Sequence, residues 1–384
     1  MSARRASAAD AAALEELLLR LAQTPAPTGA EGARAAVIMR LWTEAGLQPR
    51  LDAVGNVVAA VEPTAPAAAH AHAPALAAVD GPQPGRVIVA AHLDSVFGPD
   101  IDVTVTRGEG VWRGPGIGDN AASLAILTRY LQTRDRPDRA ARPPLLVAAT
   151  VGEEGLGDLR GARHLVAEAG AGARAFVAFD GLLGTITDVA VGSRRYEARF
   201  AAEGGHSWGD YGASSAVHAA GAAIAALTGL DVPRAPRSSL NVGQVWGGTS
   251  VNAIAETAGF NLDLRSVGGA ALEALDAAAT AAIRSAAAAA GVRVRLDRVG
   301  DRPAGRTADE ALVAAARAAY GSVGVAAQTS AGSTDANAAV AAGVPALAFG
   351  GYRGGGAHRL EEWLEPASLE VGLAALAALL ARLA

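Results

Sequence analysis

Apolar residues fall along this chain in more than one rhythm. Residues 10–22 carry Leu14, Leu17, Leu18, Leu19 and Leu21 at helical spacing and stop short of Pro25, which predicts a first helix. A second helix is predicted over 30–45, closed by Gly46, and 50–61 reads as strands around a Gly55-Asn56 turn. Then the pattern changes. Residues 86–91, 145–150 and 175–179 are short, continuously apolar runs, and each leads directly into polar residues: His92-Leu93-Asp94, Glu153-Glu154 and Asp180. Helices are predicted between them, from Asp119 to Tyr130 and over 158–168. Strands that are apolar on both faces, alternating with helices, predict an α/β fold with a buried, mainly parallel sheet and flanking helices. In open sheets of that kind, ligands gather outside the carboxyl ends of the strands.

From about residue 194 the rhythm changes again. The pattern predicts a strand at 196–201, a helix at 213–228, strands at 240–245 and 254–264, a helix at 268–290 and a strand at 292–297. That β-α-β-β-α-β order is the ferredoxin-like split βαβ arrangement, an α+β unit. The α/β texture resumes with helices at 308–320 and 335–342, a strand at 345–349 and a closing helix from Leu369. The expected organisation is therefore a first domain at 1–193 and 305–384, interrupted by an inserted domain at 194–304. Residues 62–84, rich in Pro and Ala, read as an exposed loop.

Composition narrows the chemistry. The chain has 384 residues, 51% apolar and only 18% charged, so it is globular, with a core built from Ala, Val and Leu. It has no cysteine, which excludes disulfides, thiolate metal sites and a Cys nucleophile. It also has no lysine, all 33 basic residues being arginine, which excludes a Schiff base, a Walker-A grip and a Ser–Lys dyad. No GxGxxG follows a strand and no GxSxG opens a helix. A net charge of -5 gives no general attraction to nucleic acid. Acids at Asp10, Glu15 and Glu16 interrupt any secretory h-region, and no apolar run is long enough to span a membrane, so a cytoplasmic protein is expected.

Seven histidines remain as sources of imidazole: His70, His72, His92, His164, His206, His218 and His358. Without thiolates, a metal site here must use imidazole and carboxylate, which suits zinc, manganese or cobalt. His92 and Asp94 sit two apart at a strand end, where Asp94 could orient the imidazole. Asp119 lies in GIGDN, and its simpler reading is a helix N-cap. Glu153 and Glu154 are adjacent acids whose repulsion a cation would relieve, or else the solvated start of a loop. Asp180 reads as a ligand or a turn residue. His358 follows a glycine run that allows close backbone approach to a ligand. His70 and His72 read as loop residues, and His164, His218 and Trp363 as packing residues.

Taken together, HLD (92–94), GDNAA (118–122), GEEG (152–155), FDG (179–181), GGHS (204–207), STDAN (333–337) and His358 resemble the M20 metallopeptidases, in family order. Within that family, GGHSWGDYG, STDAN and FGGY followed by GGGAH are similar to the tripeptidase-like branch. The resemblance implies a phosphorylase/hydrolase-like catalytic domain and an inserted lid, through which a homodimer forms. It implies two divalent ions per subunit, zinc or else cobalt or manganese. One ion would be held by His92, Asp119 and Asp180 and the other by Asp119, Glu154 and His358, with a cis peptide bond after the bridging Asp119. Glu153 would be the general base, Asp94 the orienter of His92, and His206 of a partner's lid the oxyanion donor. Asn252, Arg265 and Ser333 would contact substrate. Asp180, where other members carry Glu, leans the expectation towards a di-/tripeptidase or aminopeptidase acting on small peptides. The same metal pair would also serve a carboxypeptidase or N-acyl-amino-acid deacylase, and a silent binding protein of the same fold is the non-enzymatic alternative. Asn120-Ala121-Ala122 and Ala255 depart from the common pattern and bear on substrate preference.

Overall fold

The computed structural model describes residues 8–63, 81, 83–135 and 141–384. His70 and His72 lie outside the described residues. The chain forms two compact units, one of Met1–Ala190 with Arg306–Ala384 and the other of Val191–Gly305.

The first unit is built on a mixed sheet running Arg50–Leu51, Val57–Val61, Leu145–Thr150, Val87–His92, Ala175–Phe179, Ala346–Phe349 and Thr185–Ala190. Its centre is parallel. Val87–His92 pairs in parallel with both neighbours, and Ala346–Phe349 pairs in parallel with Ala175–Phe179. The flanks are antiparallel, at Val57–Val61 against Leu145–Thr150 and at Thr185–Ala190 against Ala346–Phe349. The continuous hydrophobicity of the central strands follows from burial on both faces. Val87, Val89 and Ala91 enter a core with the helices Ala8–Ala22, Gly32–Glu44, Ala121–Thr133, Glu310–Ser322 and Ser368–Arg382. Ile88 and Ala90 enter a second core, under Arg160–Ala169 and Ala336–Ala341. A strand with two apolar faces leaves its carboxyl end as the place where polar residues can emerge.

Two strands of this unit escape the hydrophobic pattern. Thr185–Ala190 carries a buried Asp188, whose charge is met by Arg306 at 2.7 Å. Gln328–Gly332, half-exposed and without a large apolar side chain, pairs in parallel with it. The helix expected from Asp158 begins only at Arg160, because Asp158 and Leu159 both adopt left-handed backbone angles.

The second unit is an antiparallel sheet in the order Ser238–Gly247, Thr257–Ser266, Gly192–Ala201 and Arg293–Arg302, with the helices Ala216–Thr228 and Gly269–Ala289 on one face. This is the ferredoxin-like order. The strand expected at 254–264 divides: Ala253–Ile254 pairs with Gly205–His206, and the long strand starts afresh at Thr257. Among the described residues, no helix is long and apolar enough to cross a membrane.

Candidate metal centre

Four neighbouring strands deliver polar residues to one end of the sheet. His92 closes Val87–His92, Glu153 and Glu154 follow Leu145–Thr150, Asp180 follows Ala175–Phe179, and His358 lies beyond Ala346–Phe349. Asp119 enters from the turn before Ala121–Thr133. Its N-cap reading fails, since the capping position is Asn120 and no side chain caps that helix. The Asp119 carboxylate instead reaches His92 Nε2 at 2.9 Å and His358 Nε2 at 3.4 Å. His358 Nε2 also lies 3.0 Å from Glu154. The peptide bond between Asp119 and Asn120 is cis.

Three sets of donor atoms fall within 4.8 Å of one another: His92, Asp119 and Asp180; Asp119, Glu154 and His358; and His92, Glu153 and Glu154. The first two share Asp119. This donor set fits divalent cations on electrostatic as well as geometric grounds. Burial, with the charges of Asp119, Glu154 and Asp335, pushes the Asp180 carboxyl up to about 7. Hydrogen bonds to Asp119 and Glu154 hold the His358 imidazole up at about 10. Without an ion, this centre therefore keeps protons where a cation would otherwise offset its negative charge. The tautomer of His92 fits too: Nδ1 lies 3.0 Å from the carbonyl oxygen of Asp94 and donates to it, which leaves Nε2 as the ligand atom.

Asp94 thus orients His92 chiefly through its main chain, its carboxylate being 3.6 Å from Nδ1. That carboxylate, fully buried, accepts the backbone N–H of Glu153 (3.0 Å), the N–H of Glu154 (2.9 Å) and the Thr28 hydroxyl (2.9 Å). It is held ionised against the cost of burial by His92 and by these amides. Buried Arg34 adds positive charge behind it and fixes the Leu93 and Thr24 carbonyls. Asp94 is therefore the anchor of the Glu153-Glu154 turn.

Glu362 holds the Asp119 turn in the same way. Its buried carboxylate accepts the N–H groups of Gly116 (2.8 Å), Gly118 (3.0 Å) and Asp119 (2.8 Å). Its main chain accepts from Gly114, and Trp363 and Leu364 pair with Arg113 and Trp112. Gly118 is required here, because a Cβ would stand 2.5 Å from the Tyr352 ring and 2.7 Å from Glu362. Asn120 completes the attachment by donating to the Phe179 carbonyl at 3.1 Å, next to Asp180. Thr28, Arg34 and Glu362 all escape sequence reasoning. A usable signal exists only for Glu362, which is the second of two adjacent acids and lies four residues after His358.

Glu362→Ala should therefore weaken metal binding by about 10- to 100-fold, as loss of an outer-shell anchor does, although no ligand is removed. Calorimetric titration of the metal-free protein checks this, and unchanged affinity in a folded variant would contradict it. Binding must also expel protons from His358 and, below neutrality, from Asp180. Zinc affinity should accordingly rise with pH, and titration near pH 7 in two buffers of different ionisation enthalpy should show about one proton or more released per chain. No release would contradict the ligand set.

The remaining predicted residues lie elsewhere. Ser333 sits half-buried between Gln328–Gly332 and Ala336–Ala341, beside Asp335, whose carboxylate accepts from Thr150 at 2.5 Å. His206, Asn252 and Arg265 belong to the second unit. There, the pairing of Gly205–His206 with Ala253–Ile254 brings His206 beside Asn252, and Ser207 N–H donates to the Asn252 carbonyl at 3.0 Å. The His206 Nδ1 accepts the backbone N–H groups of Trp208 and Gly209, both at 3.2 Å, so its neutral ring carries the proton on exposed Nε2. Arg265 Nε donates to Asp263 at 2.6 Å. His164 faces Asp52 at 3.8 Å and His218 lies on an exposed helix face; neither joins a metal-binding group among the described residues. Trp363 packs on Gly355.

The profile of Peptidase family M20/M25/M40 matches residues 88–382, which takes in every member of this centre. The chain belongs to this family. It is a hydrolase of the M20 type. No curated protein sequence is a significant match to the chain. Solved structures with the same fold include a tripeptidase from Staphylococcus aureus, with a TM-score of 0.77 and 20% identity over 97% of this chain and 98% of that one. Aminopeptidase PepT from Bacillus cereus gives 0.74 at 20% identity, again over 97% of this chain and 98% of that one. A dinuclear metal-binding M20 peptidase from Bacillus subtilis gives 0.65 at 20% identity over 98% of each chain.

Proposed function

We propose that this M20 hydrolase is a dinuclear metal-dependent exopeptidase that cleaves small peptides, of the di-/tripeptidase or aminopeptidase type. The observation that carries the reading is the pair of three-donor groups sharing Asp119. His92, Asp119 and Asp180 would hold one divalent ion and Asp119, Glu154 and His358 the other, with zinc first and cobalt or manganese as alternatives. When bound, the ions supply Lewis acidity to the scissile carbonyl and to water.

The chain's own residues do the rest. Glu153 takes the proton of the attacking water and returns it to the leaving amine. Asp94 holds the Glu153 main chain in place and fixes His92 through its carbonyl. His206 of the partner subunit would offer Nε2–H to the developing oxyanion, a donor that its Nδ1 contacts prepare in advance. Asn252 and Ser333 bind polar groups of the substrate. The likeness of fold to a tripeptidase and to an aminopeptidase supports a small peptide as substrate. The carboxypeptidase or deacylase alternative asks Arg265 to hold a free carboxylate; its Nε is held by Asp263, which leaves the terminal guanidinium N–H groups for that role, and the substrate panel below decides between the two readings. We place the enzyme in the cytoplasm as a homodimer joined through its inserted domain.

Metal-reconstituted protein assayed against dipeptides, tripeptides and N-acetyl-amino acids tests the reading. Peptides should be hydrolysed, and hydrolysis confined to N-acetyl substrates would overturn it. His206→Ala should lower turnover by about 100- to 1000-fold with metal content unchanged. Wild-type rates in that variant would remove His206 from the chemistry.

A further inference from the structure

Large apolar side chains are scarce on the surface of the first unit. Among its described residues, the exposed ones are Leu51 (54%), Val96 (40%), Leu156 (66%), Leu182 (42%) and Leu360 (53%). A single exposed leucine means nothing, because much of any protein surface is apolar. Their positions carry the information. Val96 lies two residues beyond Asp94, Leu156 two beyond Glu154, Leu182 two beyond Asp180 and Leu360 two beyond His358. Two residues of chain span at most about 7 Å, so Leu156, Leu182 and Leu360 each lie beside a residue of the donor groups, and Val96 lies beside Asp94, which anchors them.

Each is held on a fixed turn. Gly157 N–H donates to the Glu154 carbonyl at 2.8 Å, which sets Leu156 at a turn tip. Leu182 bridges Tyr352, whose ring packs against Gly118 beside Asp119. Leu360 stands between His358 and the buried Glu362, on a turn closed by Arg359 N–H to Gly356 and Glu362 N–H to Arg359. The Ser95 hydroxyl accepts the N–H of Phe97 across Val96. Turn tips usually carry Gly, Asn, Asp or Ser, for which water is the better neighbour. Leucine at such positions, pre-ordered and wet, stands to gain from an apolar partner.

We propose that Val96, Leu156, Leu182 and Leu360 form an apolar rim that receives aliphatic or aromatic substrate side chains next to the scissile bond. The substrates favoured are therefore peptides with large uncharged side chains. This rests on the reading of the centre as an amide hydrolase. Arg359 and Glu361 flank Leu360 with opposite charges, which offset each other at that point of the rim.

The test uses substrates in pairs: Leu-Gly-Gly against Asp-Gly-Gly, Gly-Leu-Gly against Gly-Asp-Gly, and N-acetyl-Leu against N-acetyl-Asp. The metal-loaded enzyme should prefer the apolar member. The double variant Leu156→Ser/Leu182→Ser should lose about tenfold in kcat/KM on apolar members and less than about twofold on acidic ones. Leu51→Ser, a comparably exposed leucine on the edge strand two strands removed from Leu145–Thr150, should change neither. Equal rates on both members, or a double variant that slows both alike, would overturn the rim. Hydrolysis of N-acetyl-Leu alone would instead overturn the peptidase reading while keeping the rim.

Discussion

Glu153→Gln should lower kcat by about 100- to 10,000-fold while the protein keeps its metal, because the substitution removes a proton carrier and leaves the shape of the site intact. Glu153 is buried, its backbone N–H is fixed by Asp94, and its carboxylate lies within 4.8 Å of the donor atoms of His92 and Glu154. That proximity makes the experiment informative, since the same residue could serve as a ligand. It does not belong to either donor group built on Asp119, which favours its role as the base. Metal analysis beside single-turnover rates separates the two roles. Loss of turnover with metal retained is the expected result, and loss of a metal ion would reassign Glu153 as a ligand.

Asp119→Ala should be more damaging still, emptying the centre of both ions and with them all turnover. Asp119 is the one residue common to His92/Asp119/Asp180 and Asp119/Glu154/His358. His358→Ala should by contrast spare the first group and leave one ion bound. The comparison matters because folding need not suffer in either variant. The Asp119 turn is anchored through backbone amides to Glu362 and through Asn120 to the Phe179 carbonyl, and neither attachment uses the Asp119 carboxylate. Elemental analysis of the three proteins should give two, none and one ion per chain. Two ions in Asp119→Ala would show that the groups do not share it.

Much of this centre was legible in the sequence because strand and ligand arrive together. The apolar runs that mark 145–150 and 175–179 as buried strands end where a polar residue can first leave the core, so Glu153, Glu154 and Asp180 stand out by contrast. The mixed direction of the sheet was not legible, since an apolar run reads the same whether its neighbour is parallel or antiparallel. Gln328–Gly332 was invisible for the opposite reason, because QTSAG has no periodicity to show. The anchors Glu362 and Arg34 escaped because their partners are backbone amides and carbonyls, which leave no trace in residue type. The spacing of Asp94 and His92 predicts that Asp94 orients the imidazole, without saying by which of its groups. Spacing placed the two residues together, but it could not reveal that the carboxylate would be drawn to the amides of Glu153 and Glu154, leaving the Asp94 carbonyl for the ring.

The most direct measurement follows bound metal and hydrolysis in one titration. Metal-free protein is loaded stepwise with zinc, then in parallel with cobalt and manganese, while ions per chain and the rate on a tripeptide are recorded. Saturation should come at two ions, with the tripeptide cleaved only as the centre fills. Full hydrolysis by the metal-free protein, or saturation at two ions with no amide cleaved under any of the three metals, would contradict it.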